Sequence, residues 1–128
     1  AKWYFANKRF AQCYICLAEA IVSRILEEYR ARDSRIKWNN SNRERIKHLI
    51  HGTKFDTMDK FKDLCKVYKE ISCTRNLIAH AGFADKDEAY KEAIDKINTH
   101  IRNTENYVFN NKHLKEVPDL FPFNELKR

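Results

Sequence analysis

An all-α fold is predicted by two features of this 128-residue sequence: apolar residues recur every three or four positions through most of it, and it holds only two glycines and two prolines. A sheet protein of this size needs far more turn punctuation. With 43% hydrophobic and 34% charged residues the chain is folded rather than disordered, and its length suits one core rather than two. The simplest architecture is a four-helix bundle with a short extra helix or tail.

The first helix is predicted over about 5–30, where Phe10, Tyr14, Leu17, Ile21, Ile25 and Tyr29 form a stripe that Ala11, Ala18, Val22 and Leu26 widen. So broad a stripe marks a central helix. The polar run 33–42 breaks it. Ser41-x-x-Glu44 then reads as a capping box opening a short helix, with Ile46, Leu49 and Ile50 inward and Gly52 as its stop. A third helix begins near Asp56, buries Phe61, Leu64, Tyr68, Ile71 and Ile78, and is predicted to end by Gly82. Asp85-x-x-Glu88 restarts a fourth through about Val108, with Tyr90, Ile94, Ile97, Ile101 and Val108 as its stripe. Pro118 and Pro122 keep the tail from being helical throughout, and Phe121 and Phe123 are expected to dock on the bundle or on a second subunit.

The net charge of +7 is unevenly spread. Residues 1–54 hold 12 Lys/Arg against 5 Asp/Glu, whereas 55–97 hold 8 against 9 and 98–128 hold 5 against 4. The densest stretch, 30–54, carries Arg30, Arg32, Arg35, Lys37, Arg43, Arg45, Lys47 and Lys54 against Asp33 and Glu44. Such a bias favours a polyanionic partner, since neutralising phosphates releases counterions; a solvated basic surface with no ligand would look the same. No apolar run approaches the ~18 residues of a membrane span, and residues 1–10 do not form a signal peptide. A cytoplasmic protein with no membrane association is expected. The sequence opens without Met in mid-pattern at Trp3-Tyr4-Phe5, which reads as a domain (1–128) cut from a longer protein with a part missing upstream.

Cys13-x-x-Cys16 resembles half a metal or redox motif, but it falls in a helical pattern with no second pair at ligand spacing. Buried reduced thiols are expected at Cys13, Cys16, Cys65 and Cys73, with no zinc and no Cys13–Cys16 disulfide. His48-x-x-His51 is an equally thin metal signal, at a helix end where imidazoles suit the dipole.

The chemistry concentrates in Ile71-Ser-Cys-Thr-Arg75-Asn76-Leu-Ile-Ala-His80-Ala-Gly82-Phe83. At about 100° per residue, Asn76 and His80 lie roughly 40° apart on a helix, whereas Arg75 and His80 lie roughly 140° apart. One copy therefore converges poorly unless the helix unwinds before Gly82, and a second subunit can supply the facing copy instead. Each residue type suits cleavage of RNA by its own 2′-hydroxyl. A histidine, titrating near ~6.5, takes or gives a proton at neutral pH. Arginine's planar fork binds phosphate and the more negative transition state. An asparagine amide can orient the imidazole or hold a phosphate oxygen. This chemistry needs no metal or other cofactor. A structural alternative has Arg75 and His80 settling a helix C-terminus, with Gly82 as a left-handed cap.

Arg75-Asn76-x-x-x-His80, followed by Ala81-Gly82 and set where a third helix gives way to a fourth, resembles the R-x(4–6)-H signature of HEPN domains, in which a polar residue, usually asparagine, follows the arginine. The resemblance extends over most of the chain, though its specific part is about a dozen residues. Together with the aromatic and basic opening from Trp3 to Gln12, the motif looks most like the C-terminal domains of CRISPR-associated CARF–HEPN effectors. The resemblance implies a HEPN-like four-to-five-helix bundle and a metal-independent endoribonuclease for single-stranded RNA in antiviral defence. It also implies an active site formed between two protomers and an upstream CARF domain sensing cyclic oligoadenylate. Arg75, Asn76 and His80 are then the catalytic residues, and Arg35, Lys37, Trp38, Arg43, Arg45 and Lys47 the expected RNA-approach surface. HEPN toxins of toxin–antitoxin pairs share the motif, and a non-catalytic HEPN module binding nucleotides or a partner protein is the rival from another class.

Overall fold

The computed structural model describes residues 2–84 and 87–122, with side chains for 9–52, 55–78 and 95–122. Every element among them is helical, as the periodicity predicts: α1 (Lys2–Arg32), α2 (Asn40–His51), a single turn α3 (Thr53–Asp56), α4 (Asp59–Ala84) and α5 (Asp87–Thr104). A π-helical turn (Glu105–Phe109), a 3₁₀ turn (Lys112–Glu116) and the short α6 (Val117–Leu120) complete the chain.

The long helix α1 is central. Its stripe Tyr14, Ala18, Ile21, Val22, Ile25, Leu26 and Tyr29 is buried, with Phe10, Ala11 and Leu17 packed at the edge. Its most extensive partner is α4, which contributes Phe61, Leu64, Cys65, Val67, Tyr68, Ile71 and Ile78 to the same core. Two contact chains fix their direction. Tyr29 donates its hydroxyl to the Phe121 carbonyl at 2.6 Å. The Phe121 ring meets Phe55 edge-on at 5.3 Å, and Phe55 stacks on Phe61 at 4.7 Å. Further along, Tyr14 meets His100, whose other nitrogen approaches Glu70 at 4.0 Å. The end of α1 thus lies by the start of α4, and the two run antiparallel. Phe121 docks on the bundle; Phe123 lies outside the described residues.

Three boundaries differ from expectation. The N-cap of α2 is Asn39, not Ser41: its side-chain oxygen accepts from the Asn42 N–H at 2.8 Å. Gly52 does end α2, its N–H donating to the Leu49 carbonyl at 3.0 Å. The short α3 separates α2 from α4, so the third long helix starts at Asp59 rather than near Asp56. Its other end matters more, because α4 continues through Gly82 to Ala84. Glycine lowers helix propensity by only about 1 kcal/mol, which the packed turns on its N-terminal side readily outweigh.

On α5, Ile97 is partly buried, but Ile101 faces out at 36% exposure and the inward positions go to His100 and Thr104. Tyr90, Ile94 and the Asp85-x-x-Glu88 capping pattern lie outside the residues or side chains described. The π turn that follows, closed by the Asn110 N–H on the Glu105 carbonyl at 2.8 Å, seats Val108 in the core. Pro118 sits in the first turn of α6, where its missing N–H costs nothing. Among the described residues, no helix is long and apolar enough to cross a membrane.

Candidate functional site

Arg75, Asn76 and His80 lie on one unbroken helix, nine, eight and four residues before its end. Gly82 lies inside the helix and is not a C-cap, and His80 sits about one turn before the helix end. The helix also does not unwind between Arg75 and Gly82, and the divergence of about 140° between Arg75 and His80 persists. Asn76 is exposed and Arg75 half-buried; the side chain of His80 lies outside those described. By its spacing, the helical face that carries Asn76 and His80 also carries Cys73, about one turn before Asn76, and Leu77, about one turn before His80, and both are exposed. Leu77 is 48% exposed, a large apolar side chain beside a polar one on the outer face of the bundle.

Tyr68 lies about two turns before Arg75 on the same face of α4. Burial pushes the Tyr68 phenol up, while the Ser72 hydroxyl and the nearby charges of Lys47 and Arg75 act the other way. Arg75 and Lys47 therefore both lie within electrostatic reach of one phenol. Lys47 in turn shares Glu19 of α1 with Arg43, at 3.2 and 2.9 Å. Burial raises the Glu19 carboxyl, but Lys47 and Arg43 outweigh it and hold the group below the usual carboxylate range.

The residues expected to form an RNA surface prove unequal. Arg35 closes a two-point contact on Asp33 at 3.0 Å, which raises its pKa further. Arg43 bonds to Glu19 and the Ser23 hydroxyl, and Lys47 to Glu19 and Glu44. Lys37 and Arg45 are exposed. Trp38 is 43% exposed, with the guanidinium carbons of Arg30 and Arg43 at 4.9 and 5.9 Å from its ring centroid. Arg30 belongs to the basic stretch the sequence singles out, but its place over Trp38 was not legible there. No spacing rule ties a residue at the end of one helix to an indole eight positions on, across a loop.

The cysteines are not the uniformly buried set expected. Cys65 alone is buried, its Sγ against the Ile50 carbonyl at 3.5 Å and its thiol pushed up by burial to about 12. Cys13 is half-buried, and Cys16 and Cys73 are exposed, because they occupy the edge and outer faces of α1 and α4 rather than the core stripe. All four are free thiols. Among the described residues no group of His, Cys, Asp and Glu could hold a metal ion. His48 is exposed, and the His51 ring meets Tyr68 edge-on at 5.4 Å.

A buried polar pair also escaped the sequence reading. His100, 4% exposed, holds its Nδ1 at 2.8 Å from the Tyr14 hydroxyl, and the two rings meet edge-on at 5.4 Å. Burial lowers the His100 pKa; Glu70 acts against that and Lys96 with it. Burial, then Cys13, raises the Tyr14 phenol to about 12. With Nε2 toward Glu70, a proton on that nitrogen leaves Nδ1 to accept from the phenol. A separation of 86 residues leaves no local signal for such a pair.

The chain is similar to the CRISPR-associated protein MJ1674 of Methanocaldococcus jannaschii, at 30% identity over 99 residues. The match covers 74% of this chain and 14% of the relative, so the chain corresponds to a small part of that protein's length. No family model and no solved structure matches the chain. The similarity connects the chain with CRISPR-associated proteins.

Proposed function

We propose that the chain is a HEPN ribonuclease domain acting in CRISPR antiviral defence, a metal-independent endoribonuclease for single-stranded RNA. The observation that carries this reading is the unbroken course of α4 through Arg75, Asn76 and His80. It carries the motif on one continuous helix in which Gly82 is an interior residue rather than a cap. The similarity to a CRISPR-associated protein supports the setting. In this reading the chain is the nuclease part of a longer effector, whose sensor domain answers a cyclic oligoadenylate.

The active site is composite. Since Arg75 and His80 diverge on one helix, a two-fold dimer pairs the α4 faces and brings the two motifs together, the commonest symmetry of soluble homo-oligomers. The exposed Leu77 on that face supplies apolar surface for the pairing. His80 takes the proton from the 2′-hydroxyl, or returns one to the departing 5′-oxygen. Arg75 holds the scissile phosphate and the charge that grows on it, and Asn76 positions imidazole or phosphate.

Cleavage of labelled single-stranded RNA in EDTA tests the assignment. His80→Ala and Arg75→Ala are each expected to lose about 10²–10⁴-fold or more while keeping the helical circular dichroism signal, with a smaller loss for Asn76→Ala. A fully active His80→Ala would overturn the reading.

A further inference from the structure

The basic surface has a centre that its charge count does not reveal. An indole left 43% open in so polar a loop is unusual, and its neighbours are organised around it. Arg30 donates Nε–H to the Ile36 carbonyl at 2.7 Å, which fixes its guanidinium over Trp38. Neither Arg30 nor Lys37 has a carboxylate partner among the described residues. The cations around them, Arg35, Arg43 and Lys47, are each neutralised by Asp33, Glu19 or Glu44. Arg30 therefore brings unneutralised charge to the ring, and Lys37 is its exposed neighbour in sequence. From there Arg43 and Lys47, one turn apart on α2, lead along Glu19 to the flank of Arg75. Arg30 to Glu19 alone covers about 16 Å of α1.

We infer that Trp38 is a stacking platform for an unpaired base of single-stranded RNA, with Arg30 and Lys37 taking the adjacent phosphates and the strand continuing past Arg43 and Lys47 toward Arg75. The inference rests on the ribonuclease reading for its direction and names how that site's substrate is held. An RNA base fits better than an acidic peptide, because a peptide carboxylate uses the cations and leaves the flat exposed ring without a partner. Base–aromatic stacking also tolerates any sequence, which suits a platform remote from the cut.

Binding of a fluorescein-labelled oligouridylate to His80→Ala protein, followed by anisotropy, tests the platform without turnover. Trp38→Ala in that background is expected to weaken binding about tenfold or more at unchanged thermal midpoint, and Trp38→Phe to recover most of it. Lys37→Ala is expected to lower the dependence of log Kd on log salt by about one. In the catalytically intact chain, Trp38→Ala should raise KM for RNA and leave kcat nearly unchanged. Unaltered oligouridylate binding by Trp38→Ala overturns the platform, as does polyglutamate competing as well as oligouridylate, which would mark an acidic-protein surface. Cleavage with a KM insensitive to Trp38 rejects the platform and leaves the ribonuclease standing. Trp38-dependent RNA binding without cleavage does the reverse.

Discussion

Burying an imidazole costs free energy unless its nitrogens find partners, and Tyr14 supplies one for His100. The folded-state pKa of His100 lies below its unfolded value of about 6.5, so the fold favours the neutral ring. That contribution is complete above about pH 6.5 and is lost as pH falls toward the folded pKa. The thermal midpoint should drop as pH is lowered from about 7 to 5, and His100→Gln should flatten that slope; an equally steep slope in the variant would assign it to other groups. The burial of Tyr14 was legible in the stripe of α1, but its partner was not, because the stripe on α5 assigns the inward place to Ile101, and only the packing gives it to His100. Arg75, Asn76 and His80 were legible because their types follow one another within six residues. Which cations stay free of carboxylates was not, since Glu19 lies 24 and 28 residues from the two cations it neutralises.

For a helix, the apolar stripe is legible and its ends are less so. The buried faces of α1, α2 and α4 follow the periodicity, because burial of one face is what the repeat encodes, though Phe10 and Leu17 are only partly buried and Val67 and Asn42 join the interior unannounced. Ends depend on which of several competent caps wins. At α2 both Asn39 and Ser41 are good N-caps, and the extended backbone at Asn39 (φ −126°, ψ 167°) decides it. Asn39→Ala should therefore cost about 1 kcal/mol in urea unfolding, and Ser41→Ala much less; the reverse order would restore the capping box at Ser41. At α4 the same difficulty hid the helix beyond Gly82. Gly82 reads as a stop by composition, yet the helix crosses it, and that continuity keeps Arg75 and His80 apart within one chain.

Across the whole molecule, the proposed function has a single bundle display half of a site and need its copy to complete it. Leu77 is the sensitive position. Its exposure means that Leu77→Glu should leave chain stability within about 0.5 kcal/mol, yet a charge on the pairing face should shift sedimentation from dimer to monomer and remove RNA cleavage. A monomer that cleaves RNA at the wild-type rate would contradict the composite site. The central claim, attack by the substrate's own 2′-hydroxyl at the Arg75–His80 site, is tested most directly by the ends of the RNA products. Mass spectrometry of single-stranded RNA cut in EDTA should find a 2′,3′-cyclic phosphate, or its opened form, and a 5′-hydroxyl. RNA carrying a 2′-deoxy nucleotide at the cut should resist, because the attacking group is gone. A 5′-phosphate end, or cutting at the 2′-deoxy position, would contradict the account.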